Sequence, residues 1–234
     1  MEIGKVGLIG AMNEEIELIL EKLEHKVATQ KAGITFYEGF FSDKPAVLCK
    51  SGVGKVNAAV CTQLLIDVFG VEAVIFTGVA GALDPDLFIG DIVISTDCMH
   101  HDMDVTVLGF ERGIIPYDDH SVFPADPVLS DLAYEESRRL FPGHTMRGRV
   151  LSGDQFIADR SLVKQLHEQM GGACTEMEGA AVAQVCFMNK TPFVIIRSIS
   201  DKADGSAHVD FVEFTAKASR HSFQIVEAMV ARLH

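Results

Sequence analysis

The stretch VGLIGAMNEE, Val6 to Glu15, runs from a short apolar segment through small residues into a polar segment. This order is typical of a β-strand that turns directly into an α-helix, which is the basic unit of an α/β fold. Such a helix start usually binds an anion, because its first N–H groups are unpaired and lie at the positive end of the helix dipole. Here, however, Glu14 and Glu15 stand where a phosphate needs a neutral or basic neighbour.

The helix that follows is predicted at Asn13–His25, and its residues divide into an apolar and an acidic side. The apolar residues Ile16, Ile19, Leu20 and Leu23 recur at helical spacing and predict the buried face. The acidic residues Glu14, Glu17, Glu21 and Glu24 cluster opposite. Glu15 lies on the flank, about 90° from the centre of the apolar stripe. It is therefore either an ordinary acid favoured by the helix dipole or a functional group beside the glycine turn.

Strands and helices alternate along the rest of the chain. The predicted strands are Val6–Gly10, Thr35–Phe41, Ala46–Lys50, Ala73–Gly78, Asp91–Thr96, Gly148–Ser152 and Phe193–Ser200. The other predicted helices are Lys55–Phe69, Pro127–Leu140, Ser161–Met170, Glu178–Asn189 and Phe211–Leu233. Several strands are continuous apolar runs, as expected where helices cover both sheet faces. We therefore expect one α/β domain over residues 1–234, with a long surface loop at Gly109–Pro127.

Composition limits the partners and the compartment. The 33 acidic and 20 basic residues give a formal charge of −13, which argues against nucleic acid or an anionic membrane as the main partner. The five cysteines are scattered and form no C-x-x-C motif, which favours a reducing, cytoplasmic setting. The apolar run AVIFTGVAGAL, Ala73 to Leu83, is shorter than the roughly 18 to 20 residues that span a bilayer. We expect a soluble protein.

Further candidate site residues lie where predicted strands end, the usual place for sites in α/β proteins. The glycine-containing stretches SGVGKVNA (Ser51–Ala58) and TGVAGAL (Thr77–Leu83) predict either tight turns or a close approach of the backbone to a ligand. Phe156 and Ile157 in SGDQFI either stack on a flat ring or fill the core. Glu178 either caps a helix or binds a ligand. Asp201 ends a buried strand, which favours a functional role.

The segments GAMNEE, SGVGK, TGVAGAL, GDIVIS, HHDMDVT, SGDQFI, EMEG and SISDKAD occur in this order along nearly the whole chain. This series resembles the 5′-methylthioadenosine/S-adenosylhomocysteine nucleosidases of the purine nucleoside phosphorylase superfamily. The resemblance implies a three-layer α/β/α fold around a central twisted mixed sheet, a homodimer and no metal or cofactor. It also implies hydrolysis of the adenine–ribose bond of small-molecule adenine nucleosides, in methionine salvage.

The resemblance also implies a role for each matching residue. Glu15 activates the attacking water and Asp201, supported by Ser200, protonates adenine N7. Met177 and Glu178 hold the ribose, and Arg197 orients the carboxylates. Phe156 stacks on adenine, the Ile157 backbone contacts its edge, and Gly81 lets the chain approach the substrate. The pocket for the 5′ substituent is formed by Met12, Val53, Pro116, Phe211 and, from a second subunit, Leu108.

Several alternatives follow from the same residues. The related phosphorylases bind phosphate with basic residues, one of them near the first strand–helix turn, whereas here no Arg or Lys follows that turn until Lys22. A metal hydrolase would need His100, His101, Asp102 and Asp104 to converge, but adjacent histidines in a strand point to opposite faces. A noncatalytic nucleoside-binding module would not need both Glu15 and Asp201.

The nature of the 5′ substituent stays open at this point. Val79 stands where many relatives have Ser, and Leu108 stands where Phe is common. 5′-Methylthioadenosine, S-adenosylhomocysteine, 5′-deoxyadenosine and the aminofutalosine intermediate of menaquinone synthesis differ only beyond C5′. An aminofutalosine nucleosidase is therefore the main alternative within the family.

Overall fold

The computed structural model describes residues 3–203 and 207–233. The strands are β1 (Val6–Gly10), β2 (Glu24–Lys31), β3 (Ile34–Phe41), β4 (Lys44–Lys50), β5 (Ala73–Ala82), β6 (Ile92–His100), β7 (Val122–Pro124), β8 (Thr145–Ser152), β9 (Gly172–Glu176) and β10 (Phe193–Asp201). The α-helices are α1 (Asn13–Lys22), α2 (Lys55–Asp67), α3 (Pro127–Leu140), α4 (Arg160–Met170), α5 (Gly179–Asn189) and α6 (Ala207–Val230). A single 3₁₀ turn covers Thr106–Leu108.

The strands form one mixed sheet that closes on itself at one end. Strand β1 pairs in parallel with β4 and with β5, and β5 pairs in parallel with β10. Strand β10 continues antiparallel to β6, β6 parallel to β8, and β8 parallel to β9. Because β9 also pairs antiparallel with β5, these five strands complete a ring. Strands β4, β3 and β2 extend the sheet beyond β1.

Helices cover both faces of this sheet, which confirms the predicted fold class. On one face, residues such as Leu8 and Ile75 pack with α1, α3 and α6. On the other face, their strand neighbours Ile9 and Phe76 pack with α2 and α5. Alternate residues of one strand thus enter different cores, and β1, β5 and β10 are buried along their whole length. This is why their sequences read as continuous apolar runs.

The predicted extent of the first helix was wrong. Helix α1 ends at Lys22, because Leu23 adopts an extended conformation and Glu24 begins β2. Strand β2 pairs antiparallel with β3 at the edge of the sheet and is almost entirely exposed. A strand without a buried face carries no alternation of apolar residues, so the sequence pattern did not reveal it.

Three other differences come from strand pairing. Strand β5 continues through the glycines to Ala82 instead of ending at Gly78, because its second half pairs with β10 and β9. Strand β7 lies inside the predicted surface loop and pairs with β6, and β9 was not predicted. The remaining strands and α-helices were predicted, with ends that differ by up to four residues, and the predicted bounds of β1 and α3 are unchanged. Within the described ranges, no helix is long and apolar enough to cross a membrane.

Candidate active site

A pocket of about 420 Å³ opens at the carboxyl ends of β1, β5, β9 and β10. The following predicted site residues line it: Met12, Glu15, Val53, Gly81, Phe156, Ile157, Met177, Glu178, Ser200, Asp201 and Phe211. The lining also contains Ala11, Val79, Ala80, Gln155, Thr175, Glu176 and Val212, which sequence reasoning had not assigned to a contact. These residues come from seven separate segments. The sheet brings them together at the end of β1, where the chain runs first to β4 on one side and then to β5 on the other, and ligand sites in α/β proteins commonly lie at such a reversal of strand order.

Glu15 lies at the edge of this pocket, held by the strand–turn–helix unit that the sequence predicted. Its carboxylate Oε2 accepts from the N–H groups of Ala11 at 2.6 Å and Met12 at 3.0 Å, and Oε1 accepts from Val79 N at 2.9 Å. The side chain is only 6% exposed. The flank position therefore turns Glu15 towards the pocket, while Glu14 is exposed.

Burial dominates the electrostatics of Glu15. It raises the pKa of the carboxyl above its ordinary value, although the Arg197 charge and the three backbone donors act in the opposite direction. Gly78 of β5 makes this approach possible, because a Cβ there would collide with Glu15 Oε1 and lie 3.1 Å from Arg197 Nη1. The site thus holds a carboxylate of raised basicity in a fixed orientation.

Asp201 ends β10 on the pocket wall and is 3% exposed. Its Oδ2 accepts from Ser200 Oγ at 2.8 Å, and its Oδ1 accepts from Ala203 N at 2.8 Å. Gly81 faces this carboxyl, and a Cβ there would lie 2.8 Å from Asp201 Oδ1. The acid is therefore fixed by its neighbours, in a position that only a residue without a side chain at Gly81 allows.

Glu176 and Glu178 divide between them the two roles that the sequence left open for Glu178. Glu176 caps α5, accepting from Gly179 N at 2.9 and 2.8 Å and from Glu178 N at 3.2 Å. It also accepts from Ser152 Oγ and from Arg197 Nη2, the latter at 2.6 Å. Sequence reasoning missed Glu176, although it stands in the EMEG motif two residues before Glu178.

Glu178 does not cap its own helix, and its side chain instead lines the pocket. Its Oε1 accepts from Gly54 N at 2.7 Å, which ties it to the loop before α2. Burial, together with the neighbouring Glu176 carboxylate, raises the pKa of Glu178 to about 8. The group is therefore mostly protonated at neutral pH when no ligand is bound.

Aromatic and aliphatic side chains form the outer wall of the pocket. Phe156 is 51% exposed and meets Phe211 edge to face, with ring centroids 5.8 Å apart. Ile157 is buried, and Val53, on the loop before α2, is half exposed. These side chains give the pocket an apolar wall with an exposed aromatic ring.

Three predicted site residues lie outside this pocket. Arg197 is buried behind the wall, with its guanidinium 3.9 Å from the centre of the Phe76 ring and paired with Glu176. Leu108 and Pro116 lie on the segment after β6, where Leu108 is 64% exposed, and neither lines the pocket of its own chain. Arg197 can orient carboxylates from its position, whereas Leu108 and Pro116 do not reach this pocket.

The HHDMDVT segment contributes a polar clamp. Asp102 accepts from Lys55 Nζ at 2.6 Å and from Asp154 N at 3.0 Å, and Asp154 accepts from Lys55 N at 2.8 Å. These contacts connect the loop that carries Val53 to the loop that carries Phe156. His100 takes no part in these contacts, and its Nε2 lies 3.0 Å from Gln184 Oε1.

The described residues contain no group of three or more His, Cys, Asp or Glu side chains suited to a metal. The four residues considered for a metal site, His100, His101, Asp102 and Asp104, are thus not gathered around one point. Another polar contact was also unforeseen: Lys50 of β4 donates to Asn13 Oδ1 at 2.9 Å, beside the start of α1. This cation is exposed and does not line the pocket.

Comparisons with known proteins agree with this architecture. The sequence model of the phosphorylase superfamily matches residues 5–231 of this chain. The 5′-methylthioadenosine/S-adenosylhomocysteine nucleosidase of Halalkalibacterium halodurans is 45% identical over 231 residues, covering 98% of this chain and 99% of the relative.

Two solved structures extend the comparison. The nucleosidase of the same name from Neisseria meningitidis, in complex with methylthio-immucillin-A, is 39% identical with a TM-score of 0.94, covering 98% of this chain and 100% of the other. The futalosine hydrolase of Helicobacter pylori is 33% identical with a TM-score of 0.93, covering 98% of each chain. The chain therefore belongs to the phosphorylase superfamily and, within it, to the 5′-methylthioadenosine/S-adenosylhomocysteine nucleosidases, which are N-glycosyl hydrolases.

Proposed function

We propose that this protein hydrolyses the adenine–ribose bond of 5′-methylthioadenosine and S-adenosylhomocysteine and releases adenine and a 5-thio-substituted ribose. The observation that carries the proposal is that one largely apolar pocket brings together Glu15, Glu178 and Asp201. Three carboxyl groups around an apolar slot suit a nucleoside, which has a flat base, a hydroxylated sugar and a scissile bond between them. The relatives named for these substrates support the same choice.

Asp201 is proposed as the general acid that protonates adenine. Adenine leaves poorly as an anion, so its N7 must receive a proton as the C1′–N9 bond breaks. Ser200 and Ala203 N fix the Asp201 carboxyl at the pocket wall. Phe156 offers an exposed ring on which the base can stack, with the Ile157 backbone at the edge of the base.

Glu178 and Met177 are proposed to hold the ribose. As the bond breaks, positive charge develops on the sugar, as in other glycoside cleavage. A carboxylate beside the sugar stabilises this charge most strongly at the transition state. Because the pKa of Glu178 is about 8 in the ligand-free protein, we infer that donation from the sugar hydroxyls shifts Glu178 to its ionised form.

Glu15 is proposed to activate water. The water oxygen bonds to C1′ as the C1′–N9 pair of electrons moves to adenine, and the released water proton goes to Glu15. Burial raises the pKa of Glu15, which makes its carboxylate a better base than an exposed one. Three backbone N–H groups hold both oxygens in place, so little reorganisation is needed.

The charges around the pocket favour water over phosphate as the nucleophile. Within the described part of the chain, no Lys or Arg side chain lines the pocket. Arg197 lies behind the wall and pairs with Glu176, and Lys50 is exposed beside Asn13. A phosphate dianion near the Glu15 carboxylate would meet a like charge, with no cation in the pocket lining to bind it.

The experiment that tests the proposal measures adenine release from 5′-methylthioadenosine with and without phosphate. We expect equal rates in both buffers and free 5-methylthioribose as the second product. Formation of a ribose 1-phosphate, or dependence of the rate on phosphate, would contradict hydrolysis.

A second candidate, hydrolysis of aminofutalosine, is favoured by the similarity to the futalosine hydrolase of Helicobacter pylori. The substrates differ beyond C5′, where one methylene is worth only about 1–3 kcal/mol in an apolar pocket. Comparison of kcat/KM for 5′-methylthioadenosine, S-adenosylhomocysteine, 5′-deoxyadenosine and aminofutalosine decides between them. A preference for aminofutalosine of more than about tenfold would replace the first candidate.

The proposal includes a homodimer in which the segment after β6 closes the 5′ pocket of the other subunit. Val107, Leu108 and Tyr117 on this segment are apolar or aromatic yet strongly exposed, which supports contact with a second chain. We also propose a cytoplasmic location, supported by five buried cysteines that are all free.

A further inference from the structure

Thr175, near the end of β9, has a buried hydroxyl without a hydrogen-bond partner. The residue is 5% exposed and lines the pocket. No group in the described parts of the protein hydrogen bonds to its Oγ1. Buried polar side chains in folded proteins usually have a partner, and an unpaired one costs stability. A hydroxyl that lacks a protein partner on a pocket wall points to a partner on the ligand.

The sheet register places Thr175 opposite the proposed general acid. Thr175 pairs with Gly81 of β5, and Gly81 pairs on its other side with Asp201 of β10. The three residues thus form one row across neighbouring strands, and all three line the pocket. Because strands lie about 4.8 Å apart, the Cα atoms at the two ends of the row are about 10 Å apart. Gly81 has no side chain, and a Cβ there would lie 2.8 Å from both Asp201 Oδ1 and Ala203 Cβ, so the Asp201 carboxyl packs directly against Gly81 in the middle of this row.

We propose that Thr175 determines base specificity by hydrogen bonding, through its hydroxyl, to the purine base of the bound nucleoside on the side away from Asp201. The inference rests on the proposed function, in which Asp201 holds N7 of the same base. A hydroxyl both donates and accepts, so it fits either a ring nitrogen or the exocyclic amine of adenine.

The proposal predicts two effects of opposite sign for Thr175→Val, which keeps the shape of the side chain and removes the hydroxyl. The ligand-free protein should melt at a higher temperature, because an unpaired buried hydroxyl is replaced by a methyl group. Free adenine should bind about 3- to 10-fold more weakly, the range expected for one neutral hydrogen bond. A hydroxyl with a structural role would instead lower the melting temperature when removed.

Two variants serve as controls. Thr175→Ser keeps the hydroxyl and should bind adenine within about threefold of the wild type. Thr77→Val removes another buried hydroxyl that lacks a partner among the described residues, on β5 and away from the pocket lining. It should raise the melting temperature like Thr175→Val but leave adenine affinity unchanged.

The measurements are calorimetric titration with free adenine and thermal unfolding without ligand. Unchanged adenine affinity in Thr175→Val, equal losses in Thr175→Val and Thr175→Ser, or a lower melting temperature for Thr175→Val would each overturn the inference. Weaker binding of methylthio-immucillin-A with unchanged binding of adenine would move the contact to the sugar and overturn the assignment to the base. A wild type that neither binds adenine nor releases it overturns the proposed function as well, so the two failures are distinguishable.

Discussion

Replacement of Glu15 by glutamine removes the carboxylate to which the proposed mechanism assigns water activation. The substitution keeps the size of the side chain but changes its hydrogen bonding to the surrounding backbone. Both carboxylate oxygens accept backbone N–H groups, from Ala11 and Met12 on one side and from Val79 on the other. A glutamine has only one acceptor oxygen, so its NH₂ group must face at least one of these donors.

The structural cost follows from this count of donors. An unsatisfied buried N–H costs about 1–3 kcal/mol, and removal of a buried charge offsets part of that loss. We expect a net loss of about 1–2 kcal/mol in the free energy of unfolding, which a folded domain tolerates. Since burial raises the folded-state pKa of Glu15, the wild type loses stability as the pH rises through that pKa. The penalty of Glu15→Gln should therefore be largest at acid pH and smaller above the raised pKa.

The catalytic cost is larger. Loss of a positioned general base lowers kcat by about two to four decades, or roughly 3–5 kcal/mol of barrier. Binding of methylthio-immucillin-A should change little, because the water is engaged only as the bond breaks. The rate of the wild type should rise with pH through the raised pKa of Glu15, and this acid limb should disappear in Glu15→Gln.

The matched control is Glu14→Gln, which removes the same charge from the same helical turn. Glu14 is exposed and does not line the pocket, so its loss should cost no more than about 0.3–1 kcal/mol of stability and leave kcat unchanged. Initial rates of adenine release, inhibitor titration and thermal unfolding of both variants complete the assay. If Glu15→Gln kept more than about a tenth of the wild-type kcat, Glu15 would be an ordinary helix-dipole partner. The same would follow if Glu14→Gln lowered kcat as strongly as Glu15→Gln.

Three further predictions test other parts of the site. Asp201→Asn should lower kcat by about two to four decades and also weaken the binding of free adenine, because Asp201 contacts the base before and during bond cleavage. Titration with adenine checks this, and an unchanged adenine affinity would contradict it. Binding of a nucleoside inhibitor at pH 7 should release close to one proton, because Glu178, with a pKa of about 8, is mostly protonated before it accepts from the sugar hydroxyls. Calorimetry in buffers of different ionisation enthalpy measures the number of protons released, and no release from the wild type would contradict the prediction. Sedimentation should report a species with about twice the mass of the 25.5 kDa chain. Leu108→Asp should weaken the dimer and thereby lower kcat/KM for 5′-methylthioadenosine, and a fully active monomer would refute the shared pocket.

Much of the site was predictable because its residues follow strands that the sequence marks clearly. The apolar runs before Ala11 and through Ile199 predict buried strands, and residues just after parallel strands meet at one edge of a sheet. That rule favoured a functional role for Asp201, while Glu15 stayed open between a helix-dipole partner and a functional group; both side chains line the same pocket. The family resemblance then supplied their proposed roles, which neither burial nor periodicity contains.

What the sequence determined by itself was the order of seven of the ten strands and of the six α-helices in the described ranges, the helical cover on both faces and the strand–turn–helix unit around Glu15. Each of these depends on residues within one or two turns of each other, so periodicity and burial reveal them. The exposed strand β2, the closure of the sheet through β9 and the division of roles between Glu176, which caps α5, and Glu178, which lines the pocket, were decided only by the tertiary structure. They depend on pairings such as Thr175 with Gly81, or Glu178 with Gly54, between residues far apart in the chain. A hydroxyl is unpaired, or a carboxyl protonated, only after those distant segments have excluded water from it, which no local pattern records.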